Sequence, residues 1–302
     1  MPSGQERILR RRIKSVQSTK KITRAMELIA ASRIVKAQQR VEAARPYSEQ
    51  ITAVMGNLAA GGAGLDHPLL QERDPIRKVG FIVISGDRGL AGAYNANLVS
   101  QAEGFVRAIP TPIQVIAVGR KGRDLMIRRG RNVIASFDGI PDEPSITDAA
   151  PVVRVAIDDY LAGKTDNVFI AYTDFVNLVT RIPQVKQLLP MQPLDLERLA
   201  VAEYVSRPGR EDGPKRVFSY EPAPDLLLDI IVPRFIELQV YQAILEAKAS
   251  EHSARMVAMN NATDNAAELI DYLILERNKA RQTSITNEIL DIVGGAEALA
   301  GR

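Results

Sequence analysis

The 302-residue sequence has no cysteine, no tryptophan and only two histidines, His67 and His252. Without cysteine, disulfide frameworks, thiolate-bound zinc, iron–sulfur clusters and thiol nucleophiles are excluded. The two histidines are too few and too far apart to form a histidine metal site. No apolar run reaches the roughly 18 residues that a membrane-spanning helix needs, and no signal-peptide core opens the chain. No aromatic residue occurs before Tyr47. Two long windows also lack glycine and proline, one between Gly4 and Pro46 and the other between Pro233 and Gly294. Neither window contains a breaker to stop a helix.

Both windows are rich in good helix formers. The second, at 1.5 Å rise per residue, makes a rod of roughly 90 Å, far beyond an ordinary globular helix. A step of seven within it meets Leu238, Leu245, His252, Met259, Ala266, Leu273 and Ala280. The intervening positions are Gln242, Ala249, Met256, Thr263, Ile270 and Arg277. That is a heptad seam with small and polar residues admitted. In the first window Ile13, Val16, Met26, Ala30, Ile34, Ala37, Val41 and Ala44 recur at steps mostly of three and four. Such seams bury little apolar area, so neither rod is stable alone.

The net charge of +3 is a difference between unlike regions. Residues 1–45 carry 12 Lys/Arg against Glu6, Glu27 and Glu42, a net of +9, whereas residues 46–302 sum to −6. Residues 235–302 alone carry six Lys/Arg and ten Asp/Glu. Oppositely charged amphipathic helices at the two ends of a chain invite antiparallel pairing. Two separate helices folded onto the central region remain the alternative.

That central region, from about Lys78 to Leu189, reads as alternating strands and helices. Val79–Ile84, Ile113–Val118, Val133–Phe137 and Val168–Tyr172 are β-branched apolar runs suited to buried parallel strands. Helical stretches lie between them near Asn95–Ala108, Arg123–Arg129 and Ile146–Leu161. The βαβαβαβ order predicts a small open, Rossmann-like α/β sheet. The polar, breaker-rich segment from Pro190 to Pro224 reads as an exposed loop. The division expected is 1–60 for the N-terminal helix, 75–193 for the α/β domain, 194–224 for the loop and 225–302 for the C-terminal helix. Pro233 is expected to kink or begin that last helix.

Three motifs invite a chemical reading. Gly86-Asp87-Arg88-Gly89-Leu90-Ala91-Gly92 follows the first strand, where phosphate loops sit. Its Gly-x-x-Gly-x-x-Gly spacing is not the dinucleotide fingerprint, and no Gly-Lys-Ser/Thr follows. Arg10-Arg11-Arg12 with Lys14, Lys20, Lys21 and Arg24 would suit phosphate backbones, yet no aromatic is at hand for base stacking. These cations flank a seam, which favours an acidic helix or acidic partner surface. Neither histidine lies beside a nucleophile motif. The sequence shows no catalytic centre, metal site or cofactor site.

The ends of the chain resemble the ATP synthase gamma-chain family. The segment Ile285-Thr286-Asn287-Glu288-Ile289-Leu290-Asp291-Ile292-Val293-Gly294-Gly295-Ala296 is similar to its C-terminal signature. Ala254-Arg255-Met256-Val257-Ala258-Met259, Asn278-Lys279-Ala280-Arg281-Gln282, Lys21-Ile22-Thr23-Arg24-Ala25-Met26-Glu27, Arg45-Pro46-Tyr47 and the Gly86–Gly92 turn also resemble it. The resemblance implies a non-catalytic central rotor stalk, with terminal helices paired as an antiparallel coiled coil inside a ring of three alpha and three beta subunits. Epsilon and the c-ring are the other partners implied. Nucleic acid is not implied, and contact with the membrane comes only through the c-ring. The site implied is the cytoplasmic face of a bacterial plasma membrane.

By motif match, Met26, Arg281 and Gln282 correspond to contacts with the beta subunits. Ile289, Ile292, Val293, Ala296 and Leu299 form the implied bearing at the C-terminal tip. Arg45, Tyr47, Tyr220 and Glu221 correspond to the foot on the c-ring and epsilon. The rival reading is a nucleotide-binding α/β protein with coiled-coil arms.

Overall fold

The computed structural model describes residues 4–60, 67–191 and 224–300. Helix α1 runs Gly4–Ala60, and α5 runs Pro224–Ala300. Between them lie β1 (Val79–Ile84), α2 (Tyr94–Ala108), β2 (Ile113–Val118), α3 (Arg120–Arg128), β3 (Asn132–Phe137), α4 (Ile146–Leu161), β4 (Asn167–Phe175) and β5 (Arg181–Leu189). The chain divides into two compact units. One joins its first 31 residues to those from Arg255 onward, and the other is Ser32–Ala254.

In the larger unit the sheet order is β3-β2-β1-β4-β5. Strands β1 to β4 are parallel, and β5 pairs antiparallel with β4. Side chains alternate across the pleat. Phe81, Val83, Val115 and Ala171 therefore meet Leu98, Val99, Ala102 and Val106 of α2 and Met126 of α3. On the opposite face Ile82, Ile84, Ile116 and Ile170 meet Ala149, Val152, Val153 and Ala156 of α4. Phe235, Ile236, Val240, Ala243, Ile244 and Ala247 of α5 complete that face. The buried ends of β1 explain its unbroken apolar run: every one of its six residues is enclosed. At the outer side, Arg131 grips buried Glu103 of α2 through two bonds of 2.9 and 2.8 Å. This pair holds the Glu103 carboxyl below its ordinary range.

The βαβαβαβ reading is met by β1 to β4 with α2, α3 and α4, and one strand is added. Strand β5 escaped the sequence reading because Pro183 interrupts it and its pattern is mixed. As the sheet's edge, with Thr173 opposite Pro183, it tolerates a residue that donates no ladder bond. Pro233 neither begins α5 nor ends it: the helix starts nine residues earlier, at Pro224, and contains Pro233. An interior proline costs about 3 kcal/mol. Val232, Phe235 and Ile236 are almost wholly enclosed around it, and each such side chain returns about 1.5–3 kcal/mol. Of the Pro190–Pro224 segment read as an exposed loop, residues 192–223 lie outside the described residues.

In the smaller unit, α1 and α5 pair as an antiparallel coiled coil. Ile13 packs with Ile270 and Leu273, flanked by Leu9, Val16 and Ile274. The Thr23 and Thr263 hydroxyls lie 2.8 Å apart, and Asn260 Nδ2 donates to Glu27 Oε1 at 3.4 Å. As one residue number rises its partner's falls, which fixes the register. Met259, Ala266 and Leu273 from the heptad are buried here, as is Ala30 of α1. The two threonines satisfy each other inside a narrow seam, so polar residues at core positions carry no unpaired hydroxyl.

Truncating Phe235 to Ala should cost about 3–5 kcal/mol, because it opens a cavity between α5 and the sheet. Urea unfolding followed by circular dichroism should show the midpoint falling accordingly, with secondary structure retained in buffer.

Candidate functional site

The Gly86–Gly92 turn follows β1, beside the point where the strand order reverses and α/β sheets open a ligand crevice. Here the crevice is filled from within. A Cβ on Gly86 would lie 2.7 Å from Oε1 and 3.1 Å from Oε2 of buried Glu251 on α5. The glycine is therefore needed so that a carboxylate can approach the backbone where a phosphate would otherwise sit. Nearby, the Tyr94 hydroxyl donates to the Ala247 carbonyl at 3.0 Å, and Ser250 Oγ donates to the Thr173 carbonyl at 3.0 Å. Ser253 Oγ donates to the Leu178 carbonyl at 2.7 Å and accepts from Arg181 at 2.9 Å. A void of about 10 Å³ remains between Ser85, Asp87, Tyr94 and Glu251, room for no more than a water molecule.

The adjacent strand ends are tied to the same turn. Ser85 Oγ donates to Val118 and Gly119 carbonyls and accepts from the Gly122 N–H at 2.8 Å. Asp87 accepts from the Arg120 and Gly139 N–H groups, each at 3.0 Å. Gly119 adopts a φ of 89°, a left-handed conformation that favours glycine. Asp87 thus binds two neighbouring turns of its own chain.

One helical turn earlier on α5, Glu246 lies against Asp174 of β4, with Lys186 and Tyr172 beside them. Gln242 donates to Glu246 Oε1 at 3.2 Å, and Lys186 Nζ donates to the Tyr172 hydroxyl at 2.8 Å. Burial, then repulsion from Asp174, raises the Glu246 carboxyl from about 4.5 to about 7, with Lys186 and Gln242 opposing the rise. Burial and the neighbouring Glu246 also push the Tyr172 phenol well above its usual value. No local sequence pattern marks this cluster, because its members come from three separate elements.

The residues singled out by motif are spread along the two long helices. Met26 is half-buried on α1 and, by the register, stands across from residues near Asn260. Arg281 and Gln282 are exposed on α5, some 20 residues further along, which is roughly 30 Å at 1.5 Å per residue. They sit where the described part of α1 runs out, since the same register sets Gly4 across from this turn. Beyond it α5 continues past the described part of α1. Ile289, Ile292 and Val293 are 55%, 71% and 51% exposed, and Ala296 is exposed as well. Leu299 falls within α5. Tyr47, half exposed, lines an open groove with Arg40, Ala43, Ala44, Arg234, Leu238 and Tyr241. Arg45 lies on α1 two residues before it, and Tyr220 and Glu221 lie outside the described residues.

The ATP synthase family model matches residues 5–299. The ATP synthase gamma chain of Dehalococcoides mccartyi strain CBDB1 is 48% identical over 296 residues, covering 97% of this chain and 99% of its own. That of Moorella thermoacetica is 45% identical over 293 residues, covering 97% and 98%. The chain belongs to the ATP synthase gamma-chain family. Solved structures share the fold at lower identity. A chain of the Euglena gracilis mitochondrial ATP synthase, in its OSCP, F1 and c-ring assembly, superposes with a TM-score of 0.66 at 20% identity, covering 98% of this chain and 95% of that one. A chain of the Tetrahymena thermophila central stalk and c-ring gives 0.60 at 22%, covering 80% and 99%. In the gamma-family setting, the glycine-rich turn is a seat for the chain's own C-terminal helix.

Because the folded carboxyl of Glu246 titrates above its unfolded value, the folded state holds the extra proton between about pH 4.5 and 7. Stability should therefore fall as pH rises through that window and level off above it. Urea midpoints measured from pH 5 to pH 8 should show this decline, and Glu246→Gln should flatten it while raising the midpoint at pH 8.

Proposed function

We propose that this chain, a central-stalk subunit of F-type ATP synthase by family, transmits torque between a proton-driven c-ring and the catalytic beta subunits without catalysing a reaction itself. The observation that carries this reading is the bare end of α5. Ile285, Ile289, Leu290, Ile292 and Val293 all lie about half or more exposed within nine residues. An exposed apolar run of that size marks an interaction surface. Small and aliphatic side chains offer a sleeve no directional bonds to lock onto, which suits a tip that must turn inside its partners.

The partners in this reading are three alpha and three beta subunits around the coiled coil, with epsilon and the c-ring at the foot. Met26, Arg281 and Gln282 serve as beta-subunit contacts, and Ile289, Ile292, Val293, Ala296 and Leu299 as the bearing. Arg45, Tyr47, Tyr220 and Glu221 belong to the foot. The basic α1 supports the same assignment: Arg11, Arg12, Lys14 and Lys21 project from the coil as exposed cations, placed to meet acidic loops of a surrounding ring. Among the described residues no helix is long and apolar enough to cross a membrane. The chain is placed at the cytoplasmic face of a bacterial plasma membrane, held there through the c-ring. Within it the functional division is shaft 1–60 and 225–302, α/β domain 75–193, and loop 194–224.

Mixing the chain with alpha and beta subunits should yield a stable complex with ATPase activity, and failure to assemble would count against the rotor assignment. Gln282→Leu or Arg281→Ala should lower ATP turnover by that complex while leaving the melting curve of the chain unchanged; unaltered turnover removes these residues from the site. The nucleotide-binding rival predicts that ATP raises the melting temperature of the isolated chain. With Glu251 seated at Gly86, no shift is expected at micromolar ATP.

A further inference from the structure

The turn between β3 and α4 touches both long helices. On α1, Arg33, Lys36 and Arg40 recur at i, i+3 and i+7, a single stripe of one helical face. Arg33 pairs with Asp142 at 2.7 Å, Lys36 with Glu143 at 3.2 Å and Arg40 with Glu143 at 2.5 Å. Arg40 also donates to the Pro144 carbonyl at 3.3 Å. On α5, Tyr241, Lys248 and His252 form a second stripe, at i, i+7 and i+11. Tyr241 donates to the Pro144 carbonyl at 3.3 Å, Lys248 donates to the Ile140 carbonyl at 2.9 Å, and His252 Nε2 lies 3.5 Å from Asp142 Oδ1. One short turn therefore holds a stripe of each helix.

The two helices are not otherwise held alike. Helix α5 is built into the sheet through Phe235, Ile236, Val240 and Ile244 and is bonded through Ala247, Ser250 and Ser253 to Tyr94 of α2, Thr173 of β4 and Leu178 of the β4–β5 turn. In the same unit, the inward face of α1 is a thin seam, with Ile34 and Ala37 buried and Val41 only partly so. Small apolar seams resist separation but offer little resistance to rolling about the helix axis. Directional ionic contacts on a flank supply that resistance. The Lys36 ammonium and the Arg40 guanidinium hold the Glu143 carboxyl below its ordinary range, so this contact stays charged at neutral pH.

We infer that the turn from Asp138 to Ser145 is a torsional brace. In it Asp142 and Glu143 are positioning residues that lock the rotation of α1 to the α/β domain, so that torque enters both stalk helices together. The inference rests on the central-stalk reading and extends it to residues outside the alpha, beta and c-ring contacts. The contacts are solvent-facing, so their equilibrium contribution is small. Their role is stiffness under load, and it weakens with added salt.

The test uses the chain assembled with alpha and beta subunits and an observable rotor bead. The Asp142→Asn, Glu143→Gln double variant should assemble and hydrolyse ATP as wild type does without load. Its torsional stiffness, taken from the bead's angular fluctuations at a catalytic dwell, should drop several-fold. Arg33→Gln, Lys36→Gln, Arg40→Gln should reproduce the drop from the other side. A charge swap, with both acids changed to Lys and the three cations to Glu, should restore it. Unchanged stiffness in either neutralised variant, or no recovery in a folded charge swap, overturns the brace while leaving the stalk reading intact. A wild-type chain that fails to assemble overturns the stalk reading and the brace with it.

Discussion

Helix α5 does two jobs that place opposite demands on its surface. Through residues 228–247 it is a layer of the α/β core, where Phe235, Ile236, Val240 and Ile244 complete one face of the sheet. Through residues 259–273 it is half of a coiled coil, where Met259, Thr263, Ala266, Ile270 and Leu273 form a narrow seam. A helix of 77 residues cannot be stable by propensity alone, since helix formation in water depends on packing of an apolar face. Its continuity follows from apolar contact supplied first by a sheet and then by α1. The enclosure around Pro233 shows the same rule in miniature: packing on the next turn offsets a residue that would otherwise break the helix.

The seating of Glu251 beneath Gly86 has a chemical consequence. Open α/β sheets leave a crevice at the carboxyl ends of their strands, and a glycine-rich turn there commonly receives a phosphate. In this protein the anion is intramolecular. With Tyr94 on Ala247 and Ser250 on Thr173, the helix plugs the crevice along the turn that leads into Glu251. The fold of a nucleotide-binding domain is thus converted into a socket. Pressing a charged helix into that socket has a cost next door: burial, and then the contact with Asp174, pushes the Glu246 carboxyl up to about 7.

The basic character of α1 resolves into two populations. Arg33, Lys36 and Arg40 meet acids of the α/β domain, and Arg24 and Arg10 meet Glu27 and Glu6 of their own helix. Attraction between α1 and α5 was the expected destination of the charge, yet Asp142 and Glu143 come from a turn whose sequence gives no sign of that role. Cations further toward the N-terminus stand exposed along the coil. An excess of one sign on a helix face is a statement about partners, which the proposed function assigns to other chains.

Much of the architecture was legible in the sequence because it is written in periodicity and breakers. The heptad from Leu238, the absence of Gly and Pro over two long windows, and four β-branched runs determine two long helices and a parallel sheet. Strand β5 was not legible, because only its place at an edge makes Pro183 acceptable. The motif residues Met26, Arg281 and Gln282 could be named from the sequence, but their separation along the coil is set by the antiparallel register. Tertiary structure alone decided that Glu251 meets Gly86, that Glu246 meets Asp174, and that Asp142 and Glu143 meet one stripe of α1. Helix and strand preferences act over a few neighbouring residues, and these contacts join side chains far apart in sequence, where only the packing of whole elements determines which charges meet.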